Sequence, residues 1–289
     1  MPARRLTAHV DGVAGDVFDA AARDRVVAYG MPVRDYYVYD APQQSGETTT
    51  PTANPDGSWT CTLPAVSSPM STRRSEVHWG VDGRGAIFKH GDTIWHVADV
   101  QGQLGEAGQD PAEWHVIAQL HGATSNGEWR NPALSLIVSG GHLHLRGGGG
   151  HPSHVNSASG SYAWNHELAR WVDGRRYHYE MRIHVDNGQD AWISLSLDGV
   201  QILDRWVPQG QYNGQDTGRY PGVIYAERDT PWAWCMQRNA LYRGSNDSTP
   251  PTYAQWVRHW PILLGIDRTP ANQTVTSGFG LDFLNSWET

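Results

Sequence analysis

Long apolar runs are missing from this sequence, and cysteine is scarce. No run of about 18 apolar residues occurs, so the sequence predicts no membrane-spanning helix. The two cysteines, Cys61 and Cys235, lack the spacing of a metal site and could either pair or remain buried thiols. Residues 1–6 lack the apolar segment of a secretory signal. We therefore expect a chain that is cytosolic, virion-associated or extracellular by a non-classical route, or one whose leader has been removed.

Basic residues are also fewer than acidic ones. Lys and Arg number 22 against 30 Asp and Glu, which gives a net charge of −8 with His neutral. Nucleic-acid binding needs a basic footprint, and this balance argues against it. A polyanionic substrate would have to be met by a local basic patch, because the overall field of the protein does not attract it.

Phenylalanine is rare, at 4 residues, whereas the chain has 14 Trp and 12 Tyr. Trp and Tyr combine an apolar face with a polar edge, which suits stacking on sugar rings. The alternative is that they fill a β-sandwich core, as we expect for most of them. The 32 Gly and 17 Pro suit many turns, and the apolar fraction of 39% indicates a globular chain.

The stretch from Trp114 to Gly122 alternates with a period of two residues, which predicts a half-buried strand. One side of this strand would carry Trp114, Val116, Ala118 and Leu120, and the other His115, Ile117, Gln119 and His121. Gln119 and His121 would then lie about 7 Å apart along the polar side. An amide and an imidazole at that spacing could both contact one small group.

Several other stretches alternate in the same way. Residues 74–79 place Arg74, Glu76 and His78 on one side, where they would converge with Gln119 and His121 if the strands share a sheet. Residues 143–146, 179–185 and 192–198 add further strands. The outward positions of these and their flanking residues are His142, His144, Arg146, Arg182 and His184. We therefore expect an antiparallel sheet with one wet face rich in Arg, His, Gln and Trp.

About a dozen short strands and one weak helix predict an all-β fold, a two-sheet β-sandwich or jelly roll of the concanavalin-like kind. The helix, residues 16–29, falls in an N-terminal extension or arm that we place at residues 1–40. The sandwich would span residues 41–266, and a tail would span residues 267–289. We expect a short helix or loop at residues 164–171 and a long irregular insertion at residues 228–252.

Three stretches resemble, in order, motifs of the alginate lyases of polysaccharide lyase family 7. Arg74-Ser-Glu-Val-His78 resembles the family's Arg-Ser/Thr-Glu-Leu-Arg motif, and Gln119-Leu-His121 resembles Gln-Ile/Val-His. Arg219-Tyr-Pro-Gly-Val-Ile-Tyr225 resembles, more loosely, the third motif, Lys-x-Gly-x-Tyr. The order and spacing are also similar to those of the related glucuronan lyases. The resemblance spans about residues 55–266.

The resemblance implies a polysaccharide in the groove of a concave sheet, β-elimination at a uronate, and no metal or cofactor. Arg74 and Gln119 would bind the uronate carboxylate, on which charge develops in the transition state. His121 would neutralise the carboxylate or act as base, and Tyr225 would be base and acid. Glu76 would orient Arg74. The further substrate-binding candidates are His78, His142, His144, Arg146, Arg182 and Arg219.

The sequence departs from the family pattern at two motifs. His78 stands where the family has a second Arg, and the third stretch lacks its Lys, for which Arg219 or Arg228 could substitute. One extra residue separates Gly222 from Tyr225, so a regular strand would turn them to opposite sides. Either a β-bulge re-aims Tyr225, or Tyr225 belongs to the core and the catalytic tyrosine lies elsewhere. The other candidates are Tyr212 and Tyr220.

Three functions fit these observations. The first is an active polysaccharide lyase on a uronate-containing glycan, and the second is a non-catalytic glycan-binding module on the same scaffold. The third is a structural or receptor-binding component of a phage tail or virion, whose residues 1–40 would contact virion partners or a second copy of the chain. A glycosidase is less favoured, because it needs two carboxylates across a groove and Glu76 is the only acid expected on the polar face.

Overall fold

A computed structural model of the protein describes most of the strands and the turns that join them. The described residues are 5–10, 36–39, 47–48, 51–56, 58–65, 73–79, 91, 93–106, 114–123, 134–147, 164–186, 190–208, 211–212, 215–216, 234–243, 253–260 and 262–267.

Within these residues the chain forms nineteen strands and no helix. The strands are β1 (Arg5–Val10), β2 (Tyr36–Tyr39), β3 (Glu47–Thr48), β4 (Thr52–Ala53), β5 (Trp59–Leu63), β6 (Arg73–Trp79), β7 (Thr93–Gln103), β8 (His115–Ala123), β9 (Leu134–Ser139), β10 (His142–Gly147), β11 (Trp164–Arg170), β12 (Arg176–His184), β13 (Trp192–Leu197), β14 (Val200–Trp206), β15 (Gln211–Tyr212), β16 (Gln215–Asp216), β17 (Trp234–Arg243), β18 (Gln255–His259) and β19 (Ile262–Asp267).

Two large sheets make up the fold. The front sheet has eight strands in the order β11-β10-β9-β8-β17-β6-β2, with β3 paired to β6. The back sheet has nine, in the order β14-β13-β12-β7-β18-β5-β4, with β19 paired to both β7 and β1. All pairings are antiparallel except that of β3 with β6. We call the sides turned away from the shared core the front face and the back face.

The core lies between the two sheets and follows from the period-two patterns. In β12, Tyr179, Met181 and Ile183 are buried, whereas the residues between them are exposed or partly exposed. In β10, Leu143 and Leu145 supply the matching apolar positions of the front sheet. Full burial of such a side chain stabilises the fold by about 1.5–3 kcal/mol, so the alternation holds each strand in its register. The predicted all-β, two-sheet sandwich is confirmed.

Two hairpins predicted from the sequence are present. Strands β9 and β10 are joined at Gly140 and Gly141, whose φ angles of +57° and +76° are those of a tight hairpin turn that favours glycine. Strands β12 and β13 also pair as neighbours, with Tyr179 opposite Leu197. In both cases the apolar alternation continues on each side of the turn.

Two predictions about individual segments are wrong. Residues 164–170 form strand β11 at the edge of the front sheet, where Trp164 and Leu168 are buried, rather than a short helix or a loop. Residues 234–243 form strand β17 in the middle of the front sheet, rather than part of an irregular insertion. In both cases the pairing with neighbouring strands outweighs a weak local pattern.

The expectation that all the polar-faced strands share one sheet is also wrong. Strands β12 and β13 belong to the back sheet, next to β7. Their outward residues, Arg182 and His184, therefore lie on the back face, across the core from Gln119. Period two shows which residues of a strand share a side, but it does not show which sheet the strand joins.

Both ends of the described chain take part in the sheets. Strand β1 pairs with β19 and β2 pairs with β6. The helix predicted at residues 16–29 lies outside the described residues. No helix in the described part is long and apolar enough to cross a membrane. Cys61 is a free, buried thiol, and burial raises its pKa to about 12.

Candidate functional site

Strand β17 lies between β6 and β8 and brings the predicted motifs together. Its register aligns residues across the front sheet in two rows. The first row runs Arg74, Tyr242, Val116, Ile137 and His144 from β6 to β10. The second row runs His78, Arg238, Gln119, Ser135 and Arg146. Paired positions of neighbouring strands share a face, so both rows lie on the front face.

A β-bulge at Ile117 changes the predicted sides of strand β8. Relative to β9, Ile117 is an extra residue between Val116 and Ala118. The alternation of this strand was predicted to be unbroken, which is wrong: Ile117 joins Ala118 in the core. Before the bulge, Val116 pairs with Tyr242 of the first row, and His115 lies opposite Val138 of the core. A bulge has this effect because it adds one residue and reverses the alternation.

Strand β17 has a second irregularity, at Ala240 and Leu241. These two residues stand opposite the single residue Ile117 of β8, while the pairing with β6 continues without a break. The carbonyl oxygen of Ala240 accepts a hydrogen bond from Nε2 of His259 in the back sheet, at 3.3 Å. The two rows are consequently four residues apart on β17, three on β8 and two on β9 and β10. At about 3.4 Å per residue, the rows diverge from about 7 Å to about 14 Å towards β6.

The first row ends in a cluster of aromatic and charged side chains. The Arg74 guanidinium lies over the Tyr242 ring, 4.8 Å from its centroid, and Nη1 is 3.9 Å from Oε2 of Glu76. The Tyr242 ring also meets Trp114 edge to face, with centroids 5.4 Å apart. Glu76 is buried and Arg74 is partly exposed. The guanidinium thus contacts both a carboxylate and an aromatic ring, and the orienting role of Glu76 stays a prediction.

Strand β10 forms the other end of the rows. Burial, together with the charge of Arg146, lowers the pKa of His144 below its usual range, so this imidazole is neutral at pH 7. Arg146 donates from Nε to Oδ1 of Asn165 at 3.0 Å. The ring nitrogen Nδ1 of His142 lies 2.8 Å from Oε1 of Glu167 on the edge strand β11. At this end of the rows, the positive charge is therefore supplied by Arg146.

The predicted site residues separate into three groups. Residues at front-face positions of β6, β8 and β10 are Arg74, Glu76, His78, Gln119, His121, His142, His144 and Arg146. Gln119 is buried, and position 121 lies opposite Met236 of β17. Arg182 lies on the back face and is not brought to these residues. Tyr212 is in β15, which pairs only with β16 among the described strands. Arg219, Tyr220 and Tyr225 lie outside the described residues.

Sequence reasoning missed two front-face residues, Arg238 and Tyr242. The signal that could have found them is their spacing, because Arg238-Asn-Ala-Leu-Tyr242 has the pattern Lys-x-Gly-x-Tyr with Arg for Lys and Ala for Gly. Arg238 is paired with both Gln119 and His78, and Tyr242 with Arg74. The central strand thus links the two motifs that were recognised.

The described side chains of this face include types that can bind an anion. Two guanidiniums with described side chains, Arg74 and Arg146, lie at opposite ends of the rows, with the amide of Gln119 between them. Guanidinium and amide groups donate well-oriented hydrogen bonds to carboxylates. No group of three or more His, Cys, Asp or Glu side chains in the described residues is arranged to hold a metal ion.

Comparisons with known proteins show the fold. No family model and no curated protein sequence matches the chain. The structure is similar to endo-β-1,4-glucuronan lyase from the fungus Trichoderma reesei, with a TM-score of 0.51, 14% identity and coverage of 89% of this chain and 94% of that one. It is also similar to endo-1,3-β-glucanase from Streptomyces sioyaensis, with a TM-score of 0.52, 12% identity and coverage of 91% and 98%. The chain therefore has the jelly-roll-like sandwich of these carbohydrate-active enzymes.

Proposed function

We propose that this protein binds an acidic polysaccharide across the front face and cleaves it by β-elimination at a uronate residue. The observation that carries the proposal is the second row of that face, where register places Arg238 between His78 and Gln119. An Arg position paired with a His position on one side and a Gln position on the other combines residue types that suit a sugar carboxylate. The resemblance of the Arg74 and Gln119 motifs to those of polysaccharide lyases supports the same substrate.

Elimination requires that the uronate carboxylate be neutralised, because negative charge moves onto it as the C5 proton leaves. Arg74, which lies against Tyr242, would supply that neutralisation through charge-assisted hydrogen bonds. Arg238 and Gln119, about 14 Å away in the second row, would bind another carboxylate of the polymer. His121, two residues beyond Gln119 on β8, would add a further donor in the second row. Arg146 would bind the carboxylate of a neighbouring sugar, since it lies two strands from Gln119, about 10 Å away.

Tyr242 takes the role of base and acid in this proposal, in place of Tyr225. Its deprotonated oxygen accepts the C5 proton, the C5–H electrons form the C4–C5 double bond, and the C4–O bond breaks. The departing oxygen then receives the proton from Tyr242, which returns the tyrosine to its starting state. Tyr242 is favoured because it lies in the motif-like stretch of β17 and next to the guanidinium of Arg74.

Hydrolysis is less well supported, although one structure of the same fold is a glucanase. A glycosidase places two carboxyl groups on opposite sides of the scissile bond. On the described central strands of the front face the only acid is Glu76, which is buried and paired with Arg74. Glu167 lies on the edge strand β11 and contacts His142. The described face therefore favours elimination.

The test measures the ultraviolet absorbance of unsaturated uronates while the protein is offered a panel of uronate polymers. Replacing Tyr242 with Phe removes the proposed base, and we expect the rate to fall at least about 100-fold. The matched variant Tyr225→Phe should retain the wild-type rate. An unchanged rate in Tyr242→Phe would exclude this role. Glycan binding without any unsaturated product would favour the non-catalytic binding or virion-component function.

A further inference from the structure

The back face carries a cluster of cationic side chains around one indole, Trp192 of β13. The guanidinium of Arg182 lies 5.1 Å from the ring centroid, and that of Arg205 lies 4.6 Å from it. The imidazole of His184 stacks beside the indole, with centroids 5.8 Å apart and planes 13° from parallel. Two guanidiniums and an imidazole thus share one aromatic surface on an acidic protein, whose net charge is −8.

The backbone of β14 is distorted at the residue that completes this cluster. Asp204 and Arg205 stand together opposite Ser194 of β13, because the register shifts between Ile193 and Leu195. Arg205 has a φ of +45°, a left-handed conformation that costs free energy for a residue with a Cβ atom. Its backbone N–H donates to Oγ of Ser194 at 2.9 Å. The bulge and this hydrogen bond direct the Arg205 side chain onto Trp192.

A second arginine–tryptophan cluster on the back face shows what is distinctive about the first. Arg176 and Arg258 lie 4.0 Å and 4.8 Å from the ring centroid of Trp260. Each of these guanidiniums has a carboxylate partner: Arg176 pairs with Asp99, and Arg258 pairs with Asp56 at 2.7 Å. Arg205 is exposed, and it forms no ion pair with any described residue.

We propose that the cluster of Arg182, Arg205 and His184 on Trp192 is a second binding site for carboxylate groups of an acidic polysaccharide. The ligand class rests on the proposed function, but the site lies on the back face, across the core from the catalytic rows. The indole holds the Arg205 guanidinium in place without neutralising it, so Arg205 can donate charge-assisted hydrogen bonds to a carboxylate. A distant part of the polymer bound here would keep the chain attached while the front face acts on another part.

The test is the affinity for a soluble polyuronate, measured by isothermal titration calorimetry on the full chain. The variants are made in a parent protein that carries both Arg74→Ala and Gln119→Ala, in which polyuronate binding by the front face is weakened. In that parent, Arg205→Gly should lower the remaining affinity about tenfold. Glycine relieves the positive φ, so this variant should melt no lower than its parent, and lost affinity would not reflect unfolding. The matched control is Arg176→Gln, which also removes a guanidinium from a tryptophan but should leave the affinity unchanged.

The outcomes separate the two proposals. Residual binding that Arg205→Gly removes and Arg176→Gln retains would establish the back-face site. The back-face proposal would be overturned if the parent, Arg205→Gly and Arg176→Gln all bound with the same affinity. It would also be overturned if Arg205→Gly and Arg176→Gln lost the same amount of affinity. Either result would leave the front-face proposal intact. If wild-type protein binds no polyuronate, both proposals fail. A neutral dextran should not bind, and added salt should weaken the polyuronate affinity.

Discussion

Arg74 illustrates how one side chain of the front face is fixed by its neighbours. A guanidinium is planar and can lie flat on an aromatic ring while its edge donates to a carboxylate. The Arg74 guanidinium lies over the Tyr242 ring, and its Nη1 forms an ion pair with Oε2 of Glu76 at 3.9 Å, which is too long for a hydrogen bond. A side chain held in this way loses little further conformational freedom when it binds a ligand. The arrangement therefore favours Arg over any other cation at this position.

Replacing Arg74 with Lys should show this preference. Lysine keeps the positive charge but lacks the planar fork that matches a carboxylate and a ring. We expect kcat/KM for a polyuronate to fall about tenfold, with little change in melting temperature, because the lost contacts are worth roughly 1–2 kcal/mol in the transition state. The control is Arg175→Lys, at an exposed position just before β12. Wild-type kinetics in Arg74→Lys would show that the planar geometry is unimportant.

Strand β17 is the element on which the site depends. It separates β6 from β8, it carries Arg238 and Tyr242, and its irregular pairing with β8 is supported from the back sheet by His259. His259 in turn stacks on Trp59 of β5, with ring centroids 5.7 Å apart. The spacing of the two front-face rows is thus set partly by residues on the far side of the core.

A close approach between two back-sheet strands gives a test at the same scale. A Cβ atom at Gly102 of β7 would lie 2.8 Å from the carbonyl oxygen of Trp256 and 3.2 Å from Cζ2 of Trp171. The first of these is a backbone atom of β18 and cannot rotate away. We expect Gly102→Ala to lower the free energy of unfolding by about 1–3 kcal/mol, as measured by denaturant titration.

A matched glycine provides the control for that experiment. A Cβ atom at Gly140, in the β9–β10 turn, meets nothing within 4 Å, although the φ of +57° is unfavourable for alanine. Gly140→Ala should therefore show only the backbone cost, about 1 kcal/mol. Equal losses of unfolding free energy in the two variants would mean that β7 and β18 can move apart without a free-energy cost.

Local pattern predicted some elements of this fold and missed others for identifiable reasons. The hairpin of β9 and β10 was predictable because Leu143 and Leu145 alternate with polar residues beside a Gly-Gly turn. Strand β17 was not, because Asn239 and Ala240 interrupt its apolar alternation. The bulge at Ile117 was also missed, since an apolar residue at a polar position has no distinct sequence signal. The assignment of Arg182 to the back sheet depends on pairing between distant strands, which one sequence does not reveal.

His96 and His259 are two of the described histidines that lie enclosed between the sheets. Burial lowers the pKa of His96 to about 3 and that of His259 to about 4. The hydroxyl of Tyr179 lies 3.4 Å from Nε2 of His96. Both imidazoles are therefore neutral in the folded protein at all but strongly acidic pH, whereas in the unfolded chain they accept protons near pH 6.5.

This difference predicts an acid-sensitive fold. Between about pH 4 and pH 6.5 the unfolded chain binds more protons at these sites, so the free energy of unfolding must fall as pH falls. At pH 5 the two histidines together should remove about 4 kcal/mol relative to pH 8. Hydrogen bonds with Asp99 and Glu180 outweigh the effect of burial on His178 and raise its pKa. That partly exposed residue opposes the trend weakly.

Denaturant titrations over this pH range check the prediction. His96→Phe should flatten the slope of unfolding free energy against pH by about half, because one of the two buried sites is removed. Val172→Ala, a change at an exposed residue that does not titrate, should leave the slope as it is. A wild-type free energy that is constant from pH 8 to pH 5 would contradict the account.

The identity of the bond-breaking reaction is the central claim, and mass spectrometry of the products tests it most directly. Elimination leaves an unsaturated uronate end, so one product of each cleavage is lighter by one water molecule than the corresponding product of hydrolysis. We predict that wild-type protein releases such lighter fragments from a polyuronate and that Tyr242→Phe does not. Saturated fragments carrying the mass of an added water would contradict the account and identify the protein as a hydrolase.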